Sequence, residues 1–176
     1  TAVVQLGTMA AVVLYFRTDL WRIGLTWLRS LRERSLRRTL DARLGWYLII
    51  GTVPLGVFGL IFGDHIESGA RDLRLVGSSL IVLGLVLLLA ERVGLRRKTI
   101  EDVDSRDGLT IGFAQALALI PGVSRSGATI TAGLFLGYTR SDAARFSFLL
   151  SVPAVVASGL WELRKVGGDD APGAGV

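Results

Sequence analysis

The residues best suited to chemistry stand together at residues 121–129, where an arginine and three hydroxyl side chains are interspersed with glycine. Apolar sequence flanks this stretch on both sides. An arginine within a bilayer-compatible segment costs roughly 2.5–3.5 kcal/mol on insertion scales, so it is expected to face a protein-lined or aqueous cavity. Arg125 with Ser124, Ser126 and Thr129 therefore predicts an anion site, and phosphate is the anion that a guanidinium beside a helix start suits best.

Two short helices are expected to position this stretch. Residues 108–120 would form a helix of ~20 Å, shorter than the ~30 Å hydrocarbon core of a bilayer. Pro121 is expected to end that helix, and Gly122 and Gly127 permit a tight turn. We therefore predict a re-entrant helix-loop-helix over 108–139, whose tip is buried in protein or lines a cavity at membrane depth.

The second helix of this hairpin is expected to begin after Ser126, acting as its N-cap. The free amides of Gly127, Ala128 and Thr129 would then point into the loop beside Arg125. Gln115, on the first helix, is interpreted as a structural residue that could hydrogen-bond the loop.

The composition indicates an all-helical, polytopic integral membrane protein. Hydrophobic residues make up 51% of the 176, which predicts several apolar spans in one membrane domain. Pro54 and Pro153 are expected to bend or interrupt their helices. The predicted segments are a partial span at 1–16, complete spans at 44–63, 74–90 and 143–163, and a disordered tail at 167–176.

The charge of +5 is concentrated in loops between the apolar runs, which favours cytoplasmic basic loops over nucleic-acid binding. Residues 17–43 hold eight arginines and predict an interfacial helix on anionic lipid. The segments 17–43 and 91–107 are placed inside and 64–73 outside. Glu91 is expected to pair with Arg92. The chain contains no cysteine, which excludes disulfides and thiol nucleophiles.

A family resemblance rests on long motifs that follow one another in order. These are Val4-Gln5-Leu6-Gly7, the run from Gln115 through Pro121 to Ile130, and Arg145 to Leu150 with Pro153. The chain resembles the undecaprenyl-diphosphate phosphatases, also called bacitracin-resistance proteins. The resemblance implies removal of the terminal phosphate from undecaprenyl diphosphate, which recycles the lipid carrier for peptidoglycan synthesis at the bacterial inner membrane and confers bacitracin resistance.

The resemblance also assigns roles. It implies phosphate-binding and catalytic roles for Ser124, Arg125 and Thr129, and it matches Ser126 and Gly127 to the family's invariant frame. The helix start adds expected substrate-binding roles for Ser126, Gly127 and Ala128. It implies an inverted-repeat fold, in which an earlier motif with glutamates, serines and a histidine would precede Thr1. Mg²⁺ or Ca²⁺ would take its ligands there, so this chain has no assigned metal ligand. The expected partners are undecaprenyl diphosphate, the bilayer and a second copy in a homodimer, with no nucleic acid.

Two other interpretations stay open at this point. An anion or lipid-phosphate transporter or flippase could use the same re-entrant loop without breaking a bond. A noncatalytic membrane partner is a third interpretation, because the chain alone is expected to be inactive. Arg145 and Ser147 are expected to have packing or interfacial roles, and His65 no catalytic one.

Overall fold

The computed structural model describes residues 2–69 and 73–168, and within them the regular structure is helical apart from one isolated bridge between Lys98 and Tyr138. Three short 3₁₀ turns, at Arg34–Arg38, Ile100–Asp102 and Leu117–Leu119, lie between the helices. These described residues form seven α-helices, namely α1 Ala2–Tyr15, α2 Arg17–Arg32, α3 Leu40–Gly69, α4 Leu73–Val93, α5 Ser105–Ala116, α6 Arg125–Phe135 and α7 Arg140–Gly168.

Two of the described helices are long and apolar enough to cross a membrane, namely Leu40–Phe62 of α3 and Leu73–Val93 of α4. The apolar window of α4 is only 6% buried within the protein. Leu80, Ile81 and Leu85 are each more than half exposed. A soluble core helix would bury such side chains, so the exposed apolar surface of α4 fits a lipid environment.

The ends of these helices differ from the predicted boundaries. α3 continues to Gly69, so most of the predicted outside segment 64–73 is helix, and residues 70–72 lie outside the described part. Neither Pro54 nor Pro153 interrupts its helix. A proline removes one N–H, and the neighbouring turns continue because their own bonds are retained. α7 covers the predicted span 143–163, and the predicted tail falls largely on residues 169–176, which are also outside the described part.

The basic segment folds as an amphipathic helix against the start of α3. Ile23 is buried, and the ring of Trp27 lies 5.6 Å from that of Trp46 in an edge-to-face contact. Arg22 pairs with Asp41 at 3.0 Å. Trp21 on the opposite face is 72% exposed, and its location at a lipid surface stays a prediction.

The helix-loop-helix is formed by α5, the 3₁₀ turn Leu117–Leu119 and α6. Asp104 caps α5 by accepting from the Asp107 amide at 2.8 Å. α5 approaches α3 so closely that a Cβ on Gly112 would stand 2.7 Å from the Cα of Gly51. α6 then packs between α4, α5 and α7, with Leu134 fully buried. The packing of α6 therefore holds the end of the site loop against the bundle, while Ser124 in the loop stays exposed.

Candidate functional site

The loop between α5 and α6 ends at Ser124, which is the N-cap of α6. Ser124 has an extended backbone, and its Oγ accepts from the Gly127 amide at 3.2 Å. Because Ser126 is already within the first helical turn, the predicted N-cap at Ser126 is wrong by two residues. The amides of Gly127 and Ala128 are bonded to Ser124, so the free donors at the helix start belong to Arg125 and Ser126.

The two loop glycines have different physical roles. Gly122 has φ +90°, and a Cβ there would overlap the backbone of Val76 in α4, with the Val76 Cα only 2.7 Å away. Gly127, by contrast, lies within α6, where a Cβ would stand 3.2 Å from Leu83. The tight turn therefore depends on Gly122, and Gly127 permits close packing of α6 on α4.

Arg125 extends from the first residue of α6 into a cavity of about 420 Å³ between α3, α6 and α7. Thr52 is the other polar side chain on the wall, and its hydroxyl is bonded to the Leu48 carbonyl within α3. Within the part of the chain that the structure describes, the Arg125 guanidinium forms no ion pair or hydrogen bond with another protein group. The remaining lining side chains are apolar or glycine, namely Leu55, Gly56, Gly59, Leu60, Ala118, Leu119, Ala154 and Ala157.

Thr129 and Ala128 point into the protein interior instead. Both are buried, and the Thr129 hydroxyl lies 2.9 Å from the Arg125 carbonyl and 2.6 Å from the Ser147 hydroxyl of α7. Ser126 remains close to the cap, with its Oγ 3.4 Å from that of Ser124. The structure thus brings Ser124, Arg125 and Ser126 together at the helix start, and the hydroxyl of Thr129 is engaged in helix packing.

Gln115 does not bond the loop. It is fully buried, and its Nε2 donates to the Gly51 carbonyl of α3 at 3.4 Å. The close backbone approach of α5 and α3 points this side chain at α3. Its buried Oε1 accepts no hydrogen bond from any of the described residues.

The base of the hairpin is closed by a buried polar cluster that the sequence reasoning missed. Asp107 is buried, accepts a short hydrogen bond from the Tyr138 hydroxyl and pairs with Lys98 at 3.1 Å. The backbones of Lys98 and Tyr138 run side by side, with the Lys98 amide 2.9 Å from the Gly137 carbonyl. The sequence signal was an acid at the hairpin start and a tyrosine at its end, which only the closed hairpin brings together.

Other charged groups tie distant segments together. Glu91 pairs with Arg140 of α7 and with Arg96, not with Arg92 as predicted, because successive residues on a helix diverge by about 100°. The hydrogen bonds and charge of Glu91 raise the pKa of Arg140. The Thr99 amide and hydroxyl bond to Asp102 and lower the pKa of that carboxyl. Arg145 pairs with Asp19 of α2 at 2.8 Å.

Metal ligands do not assemble in the described part of the chain. No group of three or more histidine, cysteine, aspartate or glutamate side chains is placed there to hold an ion. At the hairpin base, Asp107 already bonds Lys98 and Tyr138. Asp142 accepts a hydrogen bond from the Thr139 hydroxyl. The described residues therefore do not fit a metal site.

Comparison with known proteins finds sequence similarity over nearly the whole chain. The model of the family described as bacitracin resistance protein BacA matches residues 1–174. The chain is 53% identical to the undecaprenyl-diphosphatase of Streptomyces griseus, covering 95% of this chain and 62% of that protein. It is 54% identical to undecaprenyl-diphosphatase 2 of Frankia casuarinae, over 97% of this chain and 63% of the relative. It is 50% identical to the undecaprenyl-diphosphatase of Thermobifida fusca, over 99% of this chain and 60% of that protein.

The chain thus spans roughly three fifths of the length of these curated relatives. The matched region includes the capped arginine helix, the cavity and the closed hairpin base. On this evidence the chain belongs to the bacitracin resistance protein BacA family.

Proposed function

We propose that this chain is part of an undecaprenyl-diphosphate phosphatase of the bacterial inner membrane. The reaction splits the phosphoanhydride bond with water and yields undecaprenyl phosphate and inorganic phosphate. The observation that carries this proposal is Arg125, whose guanidinium reaches an apolar cavity without an assigned protein partner. The names of the relatives point to the same substrate.

Arg125 supplies the positive charge that phosphoryl transfer requires. A guanidinium can bind two phosphate oxygens at once, and its attraction is stronger beside apolar walls than in water. Leu55, Leu60 and Leu119 line the same cavity and would contact an isoprenoid chain. A lipid diphosphate combines both chemistries, with an anionic head and an apolar tail.

The helix start adds hydrogen-bond donors to this charge. The amides of Arg125 and Ser126 have no intrahelical acceptor. Ser124 accepts from Gly127, so the hydroxyl proton of Ser124 is available for a phosphate oxygen or for Ser126. We propose Ser124 and Ser126 as phosphate contacts beside Arg125, with Gly127 and Ala128 as the backbone frame. A direct catalytic role for Thr129 stays a prediction.

The family resemblance implies that the enzyme requires a divalent cation, Mg²⁺ or Ca²⁺. The described residues offer it no ligand cluster, so no step of the reaction is assigned to it here. Within this chain, Arg125 and the helix start account for the binding of the diphosphate and for stabilisation of charge on its oxygens.

The membrane arrangement is a proposal in its details. Two apolar helices and the exposed surface of α4 support a multi-pass protein. We infer that the α5–α6 hairpin is re-entrant, because α5 has 12 residues and α6 has 11. Membership of an inverted repeat and homodimer formation are further expectations, which a full-length structure and light scattering in detergent would test.

The test is phosphate release from undecaprenyl diphosphate or farnesyl diphosphate by the full-length protein that carries this sequence. We expect release by the wild type with added Mg²⁺ or Ca²⁺, and a loss of about 10³-fold or more in kcat/KM for Arg125→Ala. Arg125→Lys should lose part of this activity, because an ammonium cannot bind two oxygens in the guanidinium geometry. The 176-residue chain alone is expected to be inactive.

Wild-type activity in Arg125→Ala would overturn the role of this arginine. Binding of the diphosphate without phosphate release, in the presence of each cation, would favour the transporter or flippase alternative instead. A liposome assay that follows movement of a labelled lipid phosphate distinguishes the two outcomes.

A further inference from the structure

We propose that Ser147 of α7 is a positioning residue for the Arg125 site and that it acts through Thr129. This inference rests on the proposed phosphatase function. Both side chains are almost fully buried, with exposures of 3% for Ser147 and 1% for Thr129. Their hydroxyl oxygens are 2.6 Å apart.

The number of protons at this contact determines the direction of the hydrogen bonds. The Thr129 oxygen lies 2.9 Å from the Arg125 carbonyl and 3.2 Å from the Ser126 carbonyl. A carbonyl only accepts, so the single hydroxyl proton of Thr129 is donated to these two groups. Ser147 must therefore donate to Thr129. Neither hydroxyl has a proton left for a phosphate oxygen.

The hydrogen bonds from Ser147 to Thr129 and from Thr129 to the Arg125 carbonyl form a relay. This relay restrains Arg125, the residue that carries the anion-binding charge. Thr129 holds the carbonyl of Arg125, which is the first residue of α6. Ser147 in turn ties Thr129 to α7. The relay therefore restrains the first turn of α6 at the backbone from which the Arg125 side chain extends.

The same contact joins α6 and α7, two of the helices that line the cavity. Ala154 lies seven residues after Ser147, on the same face of α7, and lines the cavity together with Arg125. Gly133, further along α6, lies against Ala143, which comes earlier in α7, so the two helices run in opposite directions. Arg125 and Ala154 therefore lie on the same side of the Thr129–Ser147 contact. Loss of the contact would let the guanidinium shift relative to the α7 wall.

The relay separates two roles for Thr129. If its hydroxyl touched the substrate, removing it would cost far more than removing Ser147. If it acts only as the link between Ser147 and Arg125, then Thr129→Val and Ser147→Ala should have similar effects. The double variant should then be no worse than Thr129→Val alone.

The experiment compares Ser147→Ala, Thr129→Val, Thr129→Ser and the Ser147→Ala/Thr129→Val double variant in the full-length protein. Ser151→Ala is the matched control, because its hydroxyl lies one turn further along α7 and, among the described residues, bonds only to the Phe148 carbonyl of its own helix. We expect kcat to fall roughly 10–100-fold for Ser147→Ala with a smaller change in KM, since a shift of about 1 Å costs this much in rate. Thr129→Ser keeps the relay and should retain most of the activity.

Hydrogen exchange gives a second readout that needs no activity. The peptide covering residues 125–131 should exchange faster in Ser147→Ala than in wild type, and Ser151→Ala should leave it unchanged. Unchanged exchange in Ser147→Ala would overturn the inference, as would faster exchange with wild-type kcat. A wild type that releases no phosphate would instead overturn the proposed function, and the exchange data would still decide whether Ser147 restrains α6.

Discussion

Arg125 differs from the other arginines around the bundle by what surrounds its guanidinium. Arg22, Arg140 and Arg145 each pair with a carboxylate from another segment. Arg43 donates to the Val103 carbonyl at 2.7 Å. These contacts stabilise the fold, whereas Arg125 lines a cavity with apolar walls. A partly buried cation in such a place is expected to serve a ligand.

Ser124 is predicted to stabilise α6 as its N-cap. Ser124→Ala removes the acceptor for the Gly127 amide and should lower the free energy of unfolding by about 1 kcal/mol. Denaturation in mixed micelles measures this change.

Ser126→Ala is the control for this prediction, because Ser126 lies in the first turn and caps no amide. It should change the free energy of unfolding by less than about 0.5 kcal/mol. A larger loss for Ser126→Ala than for Ser124→Ala would show that the cap is at Ser126 after all.

At the scale of the elements, the hairpin depends on two places where backbones approach each other. Gly112 of α5 lies against Gly51 of α3, and Gly122 lies against Val76 of α4. These contacts leave no room for a Cβ, so they fix how deep α5 and the loop sit between α3 and α4. The position of Arg125 over its cavity follows from that depth.

Gly122→Ala tests the loop contact. The substitution combines a positive φ with overlap of the Val76 backbone, and we expect it to lower the free energy of unfolding by about 2–4 kcal/mol. Thermal denaturation in detergent follows the change.

Gly84→Ala is the matched control, since Gly84 lies within α4 and has no neighbouring atom within 4 Å of its added Cβ. An alanine there should be neutral or stabilise the helix by up to about 1 kcal/mol. Equal effects of the two substitutions would contradict the account of the loop.

At the scale of the whole molecule, contacts between distant segments hold the bundle together. Lys98, Asp107 and Tyr138 close the hairpin, and Glu91 joins the end of α4 to the start of α7 through Arg140. Arg145 connects α7 to α2 through Asp19. These polar contacts lie at the helix ends, while the middle of α4 presents apolar side chains outward.

Asp107→Ala is predicted to open the hairpin base. It leaves the buried Tyr138 hydroxyl and Lys98 without their acceptor, and should lower the free energy of unfolding by about 2–4 kcal/mol. The loss is smaller than for a fully buried ion pair because Lys98 is partly exposed. The apparent melting temperature should fall accordingly.

Glu101→Ala provides the comparison, because Glu101 is an exposed acid in the neighbouring 3₁₀ turn. Its effect should stay within about 0.5 kcal/mol. If Asp107→Ala were equally mild, the cluster would not be needed to close the hairpin.

The sequence by itself determined the features that depend on neighbouring residues. Long apolar runs predicted the helical class, and Pro121 and Gly122 predicted a break between α5 and α6, which the structure has. The motif from Pro121 to Thr129 predicted an anion site at Arg125, which stays a prediction. The sequence prediction of Ser126 as N-cap was wrong, and the cap is Ser124, because either serine can accept from an amide three residues on and only the path of the turn selects one.

Tertiary structure alone decided which side chains meet across the bundle. Gln115 bonds α3 and not the loop, Glu91 bonds Arg140 and not its neighbour, and Thr129 meets Ser147 across α6 and α7. Such pairs depend on the rotation and separation of helices, which are set by close packing between residues far apart in sequence. The residue types therefore indicated an anion site, and the packing determined that Arg125 faces the cavity while Thr129 is held inside.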